Sequence, residues 1–243
     1  MREALFWGLV ASSSLLVGGA LALRVRVGNR ALGLVMGFGA GVLISAVAYE
    51  LVLEAFDTSA GLGGVALGLA AGCAAFSIGD GLVDRLGGMH RKHSTGQQAE
   101  GVALAIVLGI VLDGIPESVV IGVGLLGGGG VSAAMLAAVF LSNLPESIAA
   151  TTGLAAAGWA HRRIMGLWLL VTAVAGLAAL AGYALLEGAS PRTIAFVLAF
   201  AGGAIITMLA DTMMPEAYRH GGRLVGVFTT LGFAVAFWIG SLE

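Results

Sequence analysis

The segment ALAIVLGIVLDGIPESVVIGVGLL, residues 103–126, decides how the rest of the chain must be read. It is long enough to cross a bilayer as one helix and is apolar almost throughout. Its middle nevertheless carries Asp113 and Glu117, with Pro116 between them. A second segment, LSNLPES (141–147), repeats the leucine, proline, glutamate and serine of LDGIPES (112–118). Ionisable residues inside a membrane span are costly, about 3 kcal/mol each on insertion scales, and mark function by default.

The rest of the chain has the same character. Its 243 residues are 58% hydrophobic and 11% charged, with a mean hydropathy of +1.00. Soluble domains carry about a quarter charged residues, so a soluble fold is excluded. Backbone polar groups must be satisfied inside the bilayer, which favours helices. The short alternating segments of a β-barrel are missing from the sequence. The expected class is an all-α integral membrane protein. Its 40 glycines suit close helix packing through small residues. The single Cys73 excludes an intrachain disulfide framework.

Apolar runs bounded by charge, glycine or proline give eight spans, about 4–23, 31–56, 60–83, 101–126, 131–158, 164–187, 191–217 and 221–242, with 84–100 as a loop. The first run is followed by Arg24, Arg26 and Arg30, a stop-transfer flank rather than that of a signal peptide. All but Arg2 and Arg192 of the 12 basic residues fall in the loops after the first, third, fifth and seventh spans. The positive-inside rule then places those loops in the cytoplasm and both termini outside. The expected location is the cell (inner) membrane of a bacterium.

Internal matches suggest symmetry. GFGAGVLISAVAYELVLEAF (37–56) aligns with AFAGGAIITMLADTMMPEAY (199–218), pairing Phe38 with Phe200, Gly41 with Gly203 and Glu54 with Glu216. These lie on the second and seventh spans, which run in opposite directions. The two proline motifs lie on the fourth and fifth, also antiparallel. Both pairs fit a 3+2+3 inverted repeat, in which transporters build a site near the midplane.

Asp113 and Glu117 are four residues apart and share one helix face, with β-carbons about 6 Å apart. Two ionised carboxylates at that distance repel by roughly 3 kcal/mol at an effective dielectric near 20. A bound dication would neutralise both. Pro116 and Pro145 lack an N–H, so the carbonyls of Leu112 and Leu141 lose their helical donors. Such carbonyls are tolerated where they line a cavity or an ion. Ser142, Asn143 and Glu146 add oxygen donors from the neighbouring span. The bland alternative is a polar packing pair with a proline kink, and two matched segments weigh against it.

These residues resemble the ZIP (Zrt/Irt-like) family of divalent-metal transporters, over essentially the whole chain. In that family the fourth helix carries His-Asn-x-Pro-Glu-Gly and the fifth a related Pro-Glu or His-Glu-x-x-x-Glu pattern. The seventh helix ends near Pro-Glu-Ala, here Pro215-Glu216-Ala217. The resemblance implies eight helices, outside termini, a metal site between the fourth and fifth helices, and delivery of metal to the cytoplasm. It also implies a homodimer. Asp113 takes the histidine place, Gly114 the asparagine place and Glu117 the glutamate place, while Ser142, Asn143 and Glu146 take the corresponding places on the fifth helix. The chain departs from the family in having no motif histidine, Ala175 near the place of a sixth-helix acid, and Asp211-Thr212 for a His-Glu pair. An all-oxygen site shifts preference from zinc towards manganese or ferrous iron, with cobalt also in the class.

Glu50 and Glu54 on the second span, with Asp211 and Glu216 on the seventh, are expected to form an exit pathway to the cytoplasm. Asp80 reads as interfacial, and His90 and His93 in the loop are a weak metal signal. No HExxH, nucleophile–base pair or phosphate loop points to an enzyme or ATPase, and nothing points to nucleic acid. The competing function is a transport-inactive sensor or scaffold of the same fold.

Overall fold

The structure is a computed structural model and describes residues 1–59, 62–85, 102–127 and 130–242. Each apolar run forms a helix. α1 covers Arg2–Arg24 and α2 Asn29–Ala46. α2 continues through a π-helical stretch, Val47–Leu53, into α3, Glu54–Ser59. Then come α4 (Leu62–Arg85), α5 (Val102–Gly124), α6 (Ala133–Ala156) and α7 (His161–Leu186). α8, Pro191–Met208, passes through a second π stretch, Leu209–Met213, into α9, Met214–Gly221. α10 covers Leu224–Gly240. The described residues contain no strand. The histidine-bearing loop segment, 89–93, lies outside the described residues.

Seven of these helical stretches are long and apolar enough to cross a membrane, with α2–α3 and α8–α9 each counting as one. α10 is an eighth, shorter apolar helix of 17 residues, about 26 Å at 1.5 Å per residue.

Local chemistry sets the helix ends. Ser132 and Ser190 cap α6 and α8 by accepting the N–H groups of Met135 and Thr193, each at 3.2 Å. Pro191 follows at the first helical position, where its missing N–H costs nothing. Gly158 and Gly188, at φ +83° and +79°, turn the chain after α6 and α7, a backbone conformation that L side chains resist.

α2 and α6 are the most buried spans and α4 the least. α2 packs along α10, α6 and α9, and α8 packs along α4. α1 lies against α6 and α7, and α5 against α7. Glycine decides two of these contacts. A Cβ on Gly41 would strike the Thr229 carbonyl of α10, and one on Gly232 of α10 would strike the Phe38 carbonyl of α2. On the other side, a Cβ on Gly203 of α8 would strike the Leu69 carbonyl of α4, and one on Gly72 would strike the Phe200 carbonyl. Both helix pairs therefore approach backbone to backbone through reciprocal glycines. Elsewhere Trp168 donates its Nε1–H to Thr151 Oγ1 at 2.7 Å, tying α7 to α6 inside the bundle. Outward faces remain apolar, with Leu67 and Ile78 on α4, Leu169 and Leu177 on α7, and Leu231 and Trp238 on α10 exposed. That surface suits lipid tails rather than water.

Candidate functional site

Pro116 and Pro145 sit inside α5 and α6, and the polar residues beside them are all buried. Asp113 and Glu117 are 2% exposed, Ser142 1%, Asn143 5% and Glu146 7%. The Ser142 hydroxyl lies 3.3 Å from Glu117 Oε1 and 3.0 Å from the Val139 carbonyl, so α5 and α6 meet at Glu117 and Ser142. The connection between these helices is short, making them antiparallel neighbours. In antiparallel register, the level that pairs Glu117 with Ser142 puts Asp113, one turn back, at the level of Glu146, one turn on. Asp113 and Glu146, both buried, lie one turn from that contact on their own helices.

Asn143 is turned about 100° from Ser142 around α6. Asn143 lines a separate cleft of about 10 Å³ with Ser12 and Leu15 of α1, Gly114 and Val111 of α5, and Val171 and Ala175 of α7. That is room for no more than a single water. The places of Gly114 and Ala175 in the sequence comparison therefore converge on one cleft, which carries no charged side chain.

The freed Leu141 carbonyl has a neighbour that the motif does not announce. It packs against α2, where a Cβ on Gly39 would lie 3.0 Å from it, so the glycine eases a tight approach.

Among the described residues, no three His, Cys, Asp or Glu side chains gather to hold one metal ion.

The four acids expected to form one pathway are split between the two ends of the bundle. Glu50 and Glu54 line a cavity of about 730 Å³ with Val120, Ile121 and Gly124 of α5, Ser132 and Met135, and Leu198 near the start of α8. Glu54 accepts the Thr58 hydroxyl at 3.3 Å. Val120 and Ile121 are one turn beyond Glu117, so the cavity reaches close to the Glu117–Ser142 layer. At the opposite end, Glu216 is buried and its Oε1 is 3.3 Å from His220 Nε2. There α9 packs on the start of α2, where a Cβ on Gly33 would meet the Ala217 carbonyl. α2 and α8 run in opposite directions, so residues matched between them must lie at opposite ends. That direction was the signal in the sequence that separates the two pairs.

Sequence reasoning missed the two π-helical stretches, which contain Glu50 and Asp211. Such stretches recur at functional positions. They begin at Val47 and Leu209, matched positions in the aligned segments 37–56 and 199–218.

Fold and site together define the class: a multi-pass, all-helical membrane protein with buried acidic side chains at the meeting of two antiparallel helices. Compared with known proteins, the chain matches no family model and no curated relative.

Proposed function

We propose that this chain is a membrane transporter for divalent transition-metal ions, a divergent relative of the ZIP family that admits them to the cytoplasm. The observation that carries this reading is the buried Ser142–Glu117 hydrogen bond between α5 and α6, with the buried carboxylates of Asp113 and Glu146 one turn away on the same helices. Carboxylates there are tolerable when a doubly positive guest offsets their repulsion. Asp113, Glu117, Ser142 and Glu146 would ligate the ion as it passes, and Asn143 would orient water beside them. The all-oxygen set favours manganese or ferrous iron over zinc.

The same reading includes an inverted repeat of eight spans. The reciprocal glycine contacts pair α2 with α10 and α8 with α4, as a twofold relation between the first three and last three spans requires. The matched π stretches agree with it. With basic loops inside and both termini outside the cell membrane, the Glu50 cavity faces outwards and gathers cations, and Asp211 and Glu216 belong to the exit. A membrane potential of about 100 mV, negative inside, contributes roughly 4.6 kcal/mol to the uptake of a dication.

A second reading, a transport-inactive sensor or scaffold, is favoured by the failure of three acidic or imidazole groups to converge among the described residues. Flux into proteoliposomes separates the two. Manganese uptake by the wild type, reduced more than about 100-fold by Glu117→Ala or Glu146→Ala, is the expected outcome, since even supporting partners of metal ligands are worth 10–100-fold. Metal binding without flux supports the sensor. Asp113→His should move the ranking of transported ions towards zinc.

A further inference from the structure

Three arginines from separate segments lie at the end of the bundle that carries Glu216. Arg26 lies in the link between α1 and α2, Arg30 in the first turn of α2, and Arg223 at the start of α10. All three are exposed. The fold brings them to one place. The backbone of Gly33, one turn after Arg30, lies against Gly221, two residues before Arg223. A tight turn at Gly222, φ +63°, carries the chain from α9 into α10 at this point.

Charge here is uncompensated. Neither 24–34 nor 217–230 contains an acidic residue. The nearby Glu216 is buried and engaged with His220. None of Arg26, Arg30 and Arg223 forms an ion pair with a described residue. Guanidinium groups bind phosphate oxygens in pairs, a geometry that ammonium groups lack. Lying at the end of membrane-spanning helices, they are at the depth of lipid headgroups, where basic residues attract anionic lipid by about 1 kcal/mol each.

We propose that Arg26, Arg30 and Arg223 form a binding surface for the phosphate headgroups of anionic phospholipids, clasping the junction of α2 with α9 and α10. The lipid bridges three segments of the chain and holds this end of the bundle shut. The inference needs only that the helices span a membrane, and it stands apart from metal transport.

The test is equilibrium binding of fluorescent phosphatidylglycerol, with phosphatidylcholine as reference, to the purified full chain in detergent. Phosphatidylglycerol should bind in preference, and raising salt from about 0.1 M to about 1 M should weaken it as the screening length falls from about 10 Å to about 3 Å. Arg30→Gln with Arg223→Gln should lower affinity about 25-fold, and Arg26→Gln about fivefold. Arg192→Gln, at the other end, should leave it unchanged. Basic residues that served only to orient the chain during insertion would not produce this pattern. Equal binding of both lipids overturns the proposal, as does wild-type affinity in the double variant. If the double variant does not fold, Arg26→Gln, outside every helix, decides by the same criterion. Competition by soluble glycerol phosphate as effective as that by the lipid would assign the surface to free phosphate instead and overturn the proposal.

Discussion

At one end of the bundle Glu50 and Glu54 face a cavity of about 730 Å³, whereas Glu216, the residue matched to Glu54, is buried at the other end beside His220. The helices that carry them share a glycine pattern and a π stretch at matched positions. Their surroundings nevertheless differ. Glu54 and Thr58 of α3 border the cavity, while α9 is pressed on the backbone of α2 at Gly33 and Gly221. Matched segments thus border a cavity at one end and close-packed backbone at the other. In the proposed transporter, alternating access would require such inequality between the two ends.

The comparison can be broken most forcefully at the reciprocal glycines. Gly41→Val and Gly203→Val each drive a side chain into a carbonyl of the facing helix, and overpacking costs about 1–3 kcal/mol or more. Thermal unfolding in detergent should show similar, large losses for both; a loss in only one would deny that the halves are equivalent. A smaller effect is expected at the shut end. His220→Ala removes the partner seen beside Glu216 and should destabilise by about 1–3 kcal/mol. It should also speed labelling of Ala217→Cys by a water-soluble thiol reagent in a Cys73→Ala background. At the open end, Glu50→Gln should slow metal uptake at low salt by about threefold to tenfold, with the difference vanishing at high salt. Uptake equally slowed at both salts would remove the steering role. Smallest is Thr151→Val, which deletes the acceptor of the Trp168 indole and should cost about 1 kcal/mol in the same unfolding assay.

The helices were legible in the sequence because hydropathy and length leave few alternatives in a bilayer. Their described ends fall within about one turn of the apolar runs, and Ser132, Ser190 and Pro191 announce two of the starts. The motif residues on α5 and α6 were also legible, since Asp113 and Glu117 interrupt hydrocarbon at helical spacing. Three things were not. The π stretches at Val47 and Leu209 have no signature in residue type. The small cleft that Asn143 lines with α1, α5 and α7 depends on how those helices pack, which the motif does not carry. The Leu141 carbonyl, which Pro145 leaves without its helical donor, faces Gly39 of a helix about a hundred residues away.

The central claim is that a dication passes between α5 and α6 at Glu117 and Ser142. Anomalous diffraction from crystals of the wild type and of Glu117→Ala grown with manganese tests it most directly. The claim predicts a manganese peak in the wild type about 2.0–2.2 Å from a Glu117 carboxylate oxygen, lost in the variant. Manganese found only in the Glu50 cavity, or a peak that survives Glu117→Ala in place, would contradict it.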